Sequence, residues 1–217
     1  MVTNFNTFGC NKPSYFNRIK TKVMKFFNYP DSDIPSVFFP FGEAKAFSNC
    51  IHCDRYLLQD NVEYIIEKAI RRYHEYETSD VIFEYAMCMQ CAEKMRAELS
   101  VESQQKVQQY IENSKLVSTR QQLIEQSNWK IDDWLGSCAI KGEPVEDQNE
   151  YQIYGHFRGN KMVFSAMPYM ISGSAVEEIS QLLSAKTIDE LNRFIDNNFG
   201  LPPELKEVIK NKPVVLI

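Results

Sequence analysis

The sequence predicts an α+β protein, in which a small cysteine-rich module is joined by polar helices to a C-terminal strand-and-helix region. Three observations carry this reading. Two CxxC pairs, Cys50–Cys53 and Cys88–Cys91, bracket a segment with β-branched and aromatic runs. Residues 101–127 are polar, with sparse apolar residues at near-helical spacing, and two capping-box signatures open apolar-periodic stretches near the C-terminus. At 217 residues, one large or two small domains are expected. Apolar residues make up 44% and charged residues 24%, which provides for a packed core and argues against wholesale disorder. A net charge of −5 argues against a chain that grips phosphate backbones through its overall charge.

Residues 1–48 form a basic amphipathic segment and a proline-rich connector. The first 30 residues hold five Lys or Arg and no Asp or Glu, leaving 19 basic and 29 acidic residues for the rest. Tyr15, Phe16, Ile19, Val23, Met24, Phe26 and Phe27 recur at roughly helical spacing between the basic residues. The expectation is a surface helix packed on the body rather than a membrane or nucleic-acid contact. Pro30, Pro35 and Pro40 then punctuate an extended, aromatic-rich stretch, because the residue before proline disfavours helix. No apolar window approaches the roughly 18 residues of a membrane span, and no apolar region or cleavage pattern follows the basic residues. The chain is therefore expected to be cytoplasmic and without a membrane span.

Residues 49–100 form the cysteine module. Two residues between cysteines allow a tight turn to aim both sulfurs at one ion, and two such turns supply four thiolates at about 2.3 Å around a tetrahedral centre. Soft thiolates select zinc or iron, whereas calcium and magnesium want oxygen. The expected metal ligands are Cys50, Cys53, Cys88 and Cys91, and the expected cofactor is zinc. Free buried cysteines and an iron–sulfur or redox role are the alternatives; two knuckles with strand-to-helix punctuation favour a closed structural site. Such a site leaves no open position for water or substrate. Between the knuckles, Glu63–Arg71 mixes apolar and charged positions ambiguously, while Val81–Ala86 has strand composition. Ala92–Leu99 consists of good helix formers, so a helix is expected from the second knuckle. Lys94, Arg55 and Lys45 are sequence-near candidates to offset the charge of the thiolates, and His52 is expected to lie exposed on the first turn.

The order of strand (Val81–Ala86), knuckle (Cys88–Cys91) and helix (Ala92–Leu99) resembles zinc-binding modules of the treble-clef and zinc-ribbon type, the treble clef more closely. The resemblance covers residues 50–99 and implies a treble-clef-like module in which all four cysteines ligate zinc. Treble clefs serve many unrelated functions, so the likeness implies a fold and a metal rather than an activity.

Residues 101–128 are expected to be a polar helical connector, with Val101, Val107, Tyr110, Ile111, Leu116, Leu123 and Ile124 as anchors. Residues 129–217 are expected to form the C-terminal α+β region. Short strands fit Tyr151–Tyr154 and Lys161–Ser165 between turn glycines. Ser174 with Glu177, and Thr187 with Glu190, mark two helix starts. The first helix would bury Val176, Ile179, Leu182 and Leu183, and the second Leu191, Phe194 and Ile195, with Gly200 as its stop. A short helix after Pro202 and a docked tail, Val214–Ile217, would close the chain.

A fainter pattern links the two halves. Ser137–Gly142 resembles Asn49–Asp54, and Tyr154–Gly159 can be laid over Glu84–Cys91 with His156 at Cys88 and Gly159 at Cys91. Cys138 and His156 alone cannot close a tetrahedral shell, and ordinary turn glycines account for the likeness more simply than a repeat. None of the histidines, His52, His74 and His156, sits in a catalytic motif. The leading expectation for function is a zinc-stabilised protein-protein interaction or adaptor module. The alternative is a nucleic-acid-binding regulator using residues 12–25 and the basic-aromatic patch Arg71, Arg72, Tyr73 and Tyr76. The third is an enzyme with a site joining His156, Arg158 and a carboxylate.

Overall fold

The structure, a computed structural model, describes residues 32–200. The amphipathic stretch, the helix expected after Pro202 and the apolar tail lie outside the described residues. Helices combine with one antiparallel sheet, as an α+β chain requires.

The sheet is organised around strand β2 (Glu63–Tyr73). It forms a hairpin with β3 (Thr78–Cys88) through a 3-10 turn at His74–Tyr76, where Glu77 adopts a left-handed φ of 47°. A bulge at Ile82 shifts the register between Ala69 and Ile70 and adds local twist. On its other edge β2 pairs with β4 (Glu150–Arg158), so that Glu67 lies opposite Tyr154 and Ile66 opposite Gly155. The far edge of β4 is shared between β5 (Lys161–Met162) and β6 (Tyr169–Ser172), and β1 (Ser32–Asp33) pairs with β5. Segments from the cysteine module and the C-terminal region thus enter the same sheet and the same hydrophobic core.

The ambiguity of Glu63–Arg71 has a physical cause. Every residue from Tyr64 to Ile70 is buried, because both faces of the hairpin are covered, so no alternation survives. The two charged residues in the run are each satisfied internally. Glu67 accepts hydrogen bonds from the hydroxyls of Tyr85 and, at 3.2 Å, Tyr154. Lys68, on the opposite face, donates to the Phe39 carbonyl at 2.6 Å and pairs with Glu84 at 2.9 Å. That opposite face is covered by residues 38–41: Phe38 packs edge-on against Phe157, and the Phe41 amide donates to Glu84 Oε1 at 2.7 Å.

Helix α1 (Met89–Glu98) follows β3 directly; it begins inside the second knuckle, with Cys88 as its N-cap residue, rather than after Cys91. The polar connector is two helices, α2 (Val101–Glu112) and α3 (Leu116–Glu125), and α4 (Ile131–Leu135) buries Trp134 against Trp129 and Phe164. The C-terminal helices are α5 (Gly173–Gln181) and α6 (Ala185–Asn198). They bury the expected residues Val176, Ile179, Leu191, Phe194 and Ile195, while Leu182 and Leu183 are partly buried. Phe194 and Phe199 lie edge-on to Tyr85, so α6 covers the Glu67 face. The caps differ from expectation. Ser172 rather than Ser174 occupies the N-cap of α5, and Ser184 rather than Thr187 caps α6 by accepting from the Thr187 amide. Thr187 is spent elsewhere, its hydroxyl accepting from the Ser100 amide at 3.0 Å.

Candidate metal centre

The first knuckle is built by a tight turn. The Cys50 amide donates to the Arg55 carbonyl and the Asp54 amide to the Cys50 carbonyl, both at 2.9 Å, with Asp54 at a left-handed φ of 56°. Aspartate tolerates this conformation better than most residues, and the Asn49 side chain fixes it by donating to the Asp54 carbonyl and carboxylate. The turn brings Cys50 and Cys53 round to the same side. The Ile51 amide then donates to the Ala86 carbonyl at 2.9 Å, fastening the knuckle beside the end of β3, where Cys88 emerges.

Cys88 ends β3 and Cys91 lies in the first turn of α1, so the second pair sits at a helix N-terminus, where free amides and the helix dipole favour negative charge. The four sulfur atoms of Cys50, Cys53, Cys88 and Cys91 all lie within 4.8 Å of one another. The Cys53 and Cys88 sulfurs are 3.8 Å apart. Four thiolates at about 2.3 Å around a tetrahedral ion would be separated by about 3.8 Å, so the spacing suits one shared ion. Cys50, Cys88 and Cys91 are buried and Cys53 is exposed. The four cysteines are therefore positioned to bind a metal ion, and among the described residues they are the group of three or more such ligands close enough to do so.

The thiols differ electrostatically. Burial pushes Cys88 up from the ordinary thiol value, and Cys91 well above it. Burial acts in the same direction on Cys53, but the Arg55 amide and the neighbouring thiols, donating hydrogen bonds to its sulfur, outweigh it and hold this thiol below the ordinary value. Cys53 is thus the most readily ionised of these three, and a bound cation would have to displace the protons of the other two. Arg55 reaches across the gap between knuckles to donate to Gln90 at 3.1 Å, whereas Lys45 and Lys94 are exposed. His52 is exposed on the turn, as its position predicts, and does not join the cluster.

The weaker candidates are engaged otherwise. His156 is buried on β4 with Nε2 3.3 Å from Glu63, whose other oxygen meets Arg158. The sulfur of Cys138 accepts from Ser172 and from the Lys141 amide. The overlay that sets His156 at Cys88 fails, because His156 belongs to mid-sheet β4 and not to the strand end that leads into a helix. Arg71 pairs with Glu150 at 2.8 Å, and Arg72 donates to the Val145 carbonyl while lying over the Tyr151 ring, so both arginines of the basic-aromatic patch are committed to the fold. A cavity of about 470 Å³, lined by Ile70, Ile82, Glu150, Tyr151, Val176 and Glu177 among others, opens at the end of β2 opposite the cysteines. The buried Glu67, Tyr85 and Tyr154 cluster and the Lys68–Glu84 pair were not foreseen from sequence; a Glu-Lys dipeptide inside the run Tyr64–Ile70 was the available signal.

Comparison with protein-family models, with curated proteins and with solved structures found no match.

Proposed function

We propose that the chain is a zinc-stabilised interaction protein, in which Cys50, Cys53, Cys88 and Cys91 hold a structural zinc ion and the folded surface contacts another protein. The observation that carries the metal half is the closed thiol set: four sulfurs within 4.8 Å of one another, three of them buried, supply a complete tetrahedral shell. Thiolate softness selects zinc or iron over calcium and magnesium, and two knuckles closing a complete protein shell suit a structural zinc ion rather than a catalytic or redox one. The order of knuckle, β2–β3 hairpin and helix, with the second pair at the helix start, supports a treble-clef-like module. The interaction half is supported by large apolar side chains left outside the core, Phe41 at 61%, Tyr56 at 50% and Tyr76 at 75% exposure.

The test has two arms. Chelation should abolish the far-ultraviolet circular dichroism of the folded chain, and zinc but not magnesium should restore it; a chain that keeps its signal after the metal is gone contradicts a structural ion. Cross-linking of the zinc-loaded protein in a cell extract should then give adducts that survive nuclease and disappear on chelation. Adducts removed by nuclease would favour the nucleic-acid reading, and no adducts would contradict the interaction role.

A further inference from the structure

The turn at residues 137–144 repeats the backbone pairing of the first knuckle. Ser137 bridges Pro144 as Asn49 bridges Tyr56. The Cys138 amide donates to the Glu143 carbonyl and the Gly142 amide to the Cys138 carbonyl, both at 2.7 Å, with Gly142 at a left-handed φ of 76° where Asp54 has 56°. The turn is fastened in the same way, the Ala139 amide donating to the Met170 carbonyl at 2.8 Å as Ile51 does to Ala86. Two residues further along each strand, the Ser172 amide points at the Cys138 sulfur at 3.3 Å and the Cys88 amide at the Cys50 sulfur at 3.4 Å. Ser172 then caps α5 as Cys88 caps α1, with nearly the same backbone angles.

The repeat continues beyond the knuckle. Ser100 and Ser184 cap the next helices, α2 and α6, and the two caps hold each other reciprocally: the Ser100 amide donates to the Thr187 hydroxyl at 3.0 Å and the Ser184 amide to the Ser103 hydroxyl at 2.8 Å. Their own hydroxyls lie 2.8 Å apart. The first strands of the two units, β2 and β4, pair antiparallel. Reciprocal caps and antiparallel equivalent strands are the marks of a two-fold relation.

We propose that residues 137–198 are a second unit of the metal module, and that Cys138, Lys141, Ser172 and Ala175 occupy the four ligand positions held in the first unit by Cys50, Cys53, Cys88 and Cys91. One thiol is retained. Cys138 is 1% exposed, and its sulfur accepts hydrogen bonds from the Lys141 amide, the Ser172 amide and the Ser172 hydroxyl, which satisfy it in place of an ion. Lys141 turns its ammonium outward to Glu178 at 2.7 Å, and Ala175, fully buried, closes the space at the first turn of α5. The second unit is thus a metal site converted to a hydrogen-bonded turn, latent for a soft divalent cation. This inference rests on the reading of the first cluster as a metal site.

The test restores the missing ligands. The variant Lys141→Cys/Ser172→Cys/Ala175→Cys, purified in parallel with wild type, should carry twice the zinc of wild type by elemental mass spectrometry and show twice the thiolate-to-cobalt absorption when loaded with cobalt(II). A folded triple variant with the metal content of wild type would overturn the proposal. A metal-free wild type would instead remove the reading of the first cluster. A second variant, Ala175→Cys alone, covers a triple variant that fails to fold: mild oxidation followed by peptide mapping should reveal a 138–175 disulfide, and a folded Ala175→Cys protein without it would overturn the equivalence of the two units independently of any metal.

Discussion

Lys68 and Glu84 fasten the segment around Phe38 to the sheet, and breaking this pair should cost more than any surface ion pair would. The side chains are 7% and 18% exposed, and they meet at 2.9 Å. Lys68 also donates to the Phe39 carbonyl, and Glu84 accepts the Phe41 amide, so two of their hydrogen bonds hold chain from outside the hairpin. Replacing Lys68 by methionine keeps an unbranched side chain one atom shorter but leaves the Glu84 carboxylate with the Phe41 amide alone. Removing one partner of a buried pair costs about 3–5 kcal/mol, and the residual access of Glu84 to water places this case near the lower end, about 3 kcal/mol. With a urea m-value of about 2 kcal/mol per molar, the midpoint should fall by about 1.5 M. The double variant Lys68→Met/Glu84→Leu removes both charges and should recover to within about 1 kcal/mol of wild type, since a well-packed apolar pair replaces a buried ion pair at little cost. The assay is urea unfolding followed by tryptophan fluorescence, at one fixed free-zinc level for all variants. A Lys68→Met midpoint equal to wild type, or a double variant as unstable as the two single changes added together, would refute this account of the clamp.

Two further outcomes follow from the same geometry. Gly155→Ala should destabilise by about 2–3 kcal/mol in the same assay, because an added Cβ would sit 2.6 Å from the Phe157 ring and 2.9 Å from Phe38 in a packed face; a neutral effect would show that the aromatic pair can shift. Zinc affinity should fall as pH falls through neutrality, because burial keeps the Cys88 and Cys91 thiols protonated in the metal-free chain and zinc must expel both protons. At least two protons released per ion give a change on the order of 100-fold or more per pH unit, measurable by competition with a chromophoric chelator between about pH 6.5 and 7.5; an affinity independent of pH would contradict it.

The cysteine cluster was legible because each half of it is local: a CxxC pair forms its own turn, and only the meeting of the two turns depends on the fold. The helices were legible for the same reason, although their caps were not. Thr187 looks like the cap in sequence, but its hydroxyl is occupied by the Ser100 amide from 87 positions earlier in the chain, and Ser184 takes the cap position instead. Strand β2 was hard to read because Glu67 and Lys68 are buried on opposite faces, each with a partner drawn from another strand or from the segment at Phe39. Its pairing with β4 brings together segments that no local pattern connects. The turn at residues 137–144 was half visible, since Cys138 and Gly142 keep the turn signature. Its strand partner was not, because Ser172 and Ala175 carry no metal-ligand chemistry and the likeness there survives only in the backbone.

The proposed role of the chain rests on one metal ion held by four thiolates. Elemental mass spectrometry of purified wild-type protein and of the Cys88→Ser/Cys91→Ser variant tests this directly. One zinc per wild-type chain, absent from the variant together with its folded circular dichroism, is the predicted result. A wild-type chain that folds cooperatively with no bound metal, or a variant that keeps both zinc and fold, would contradict it.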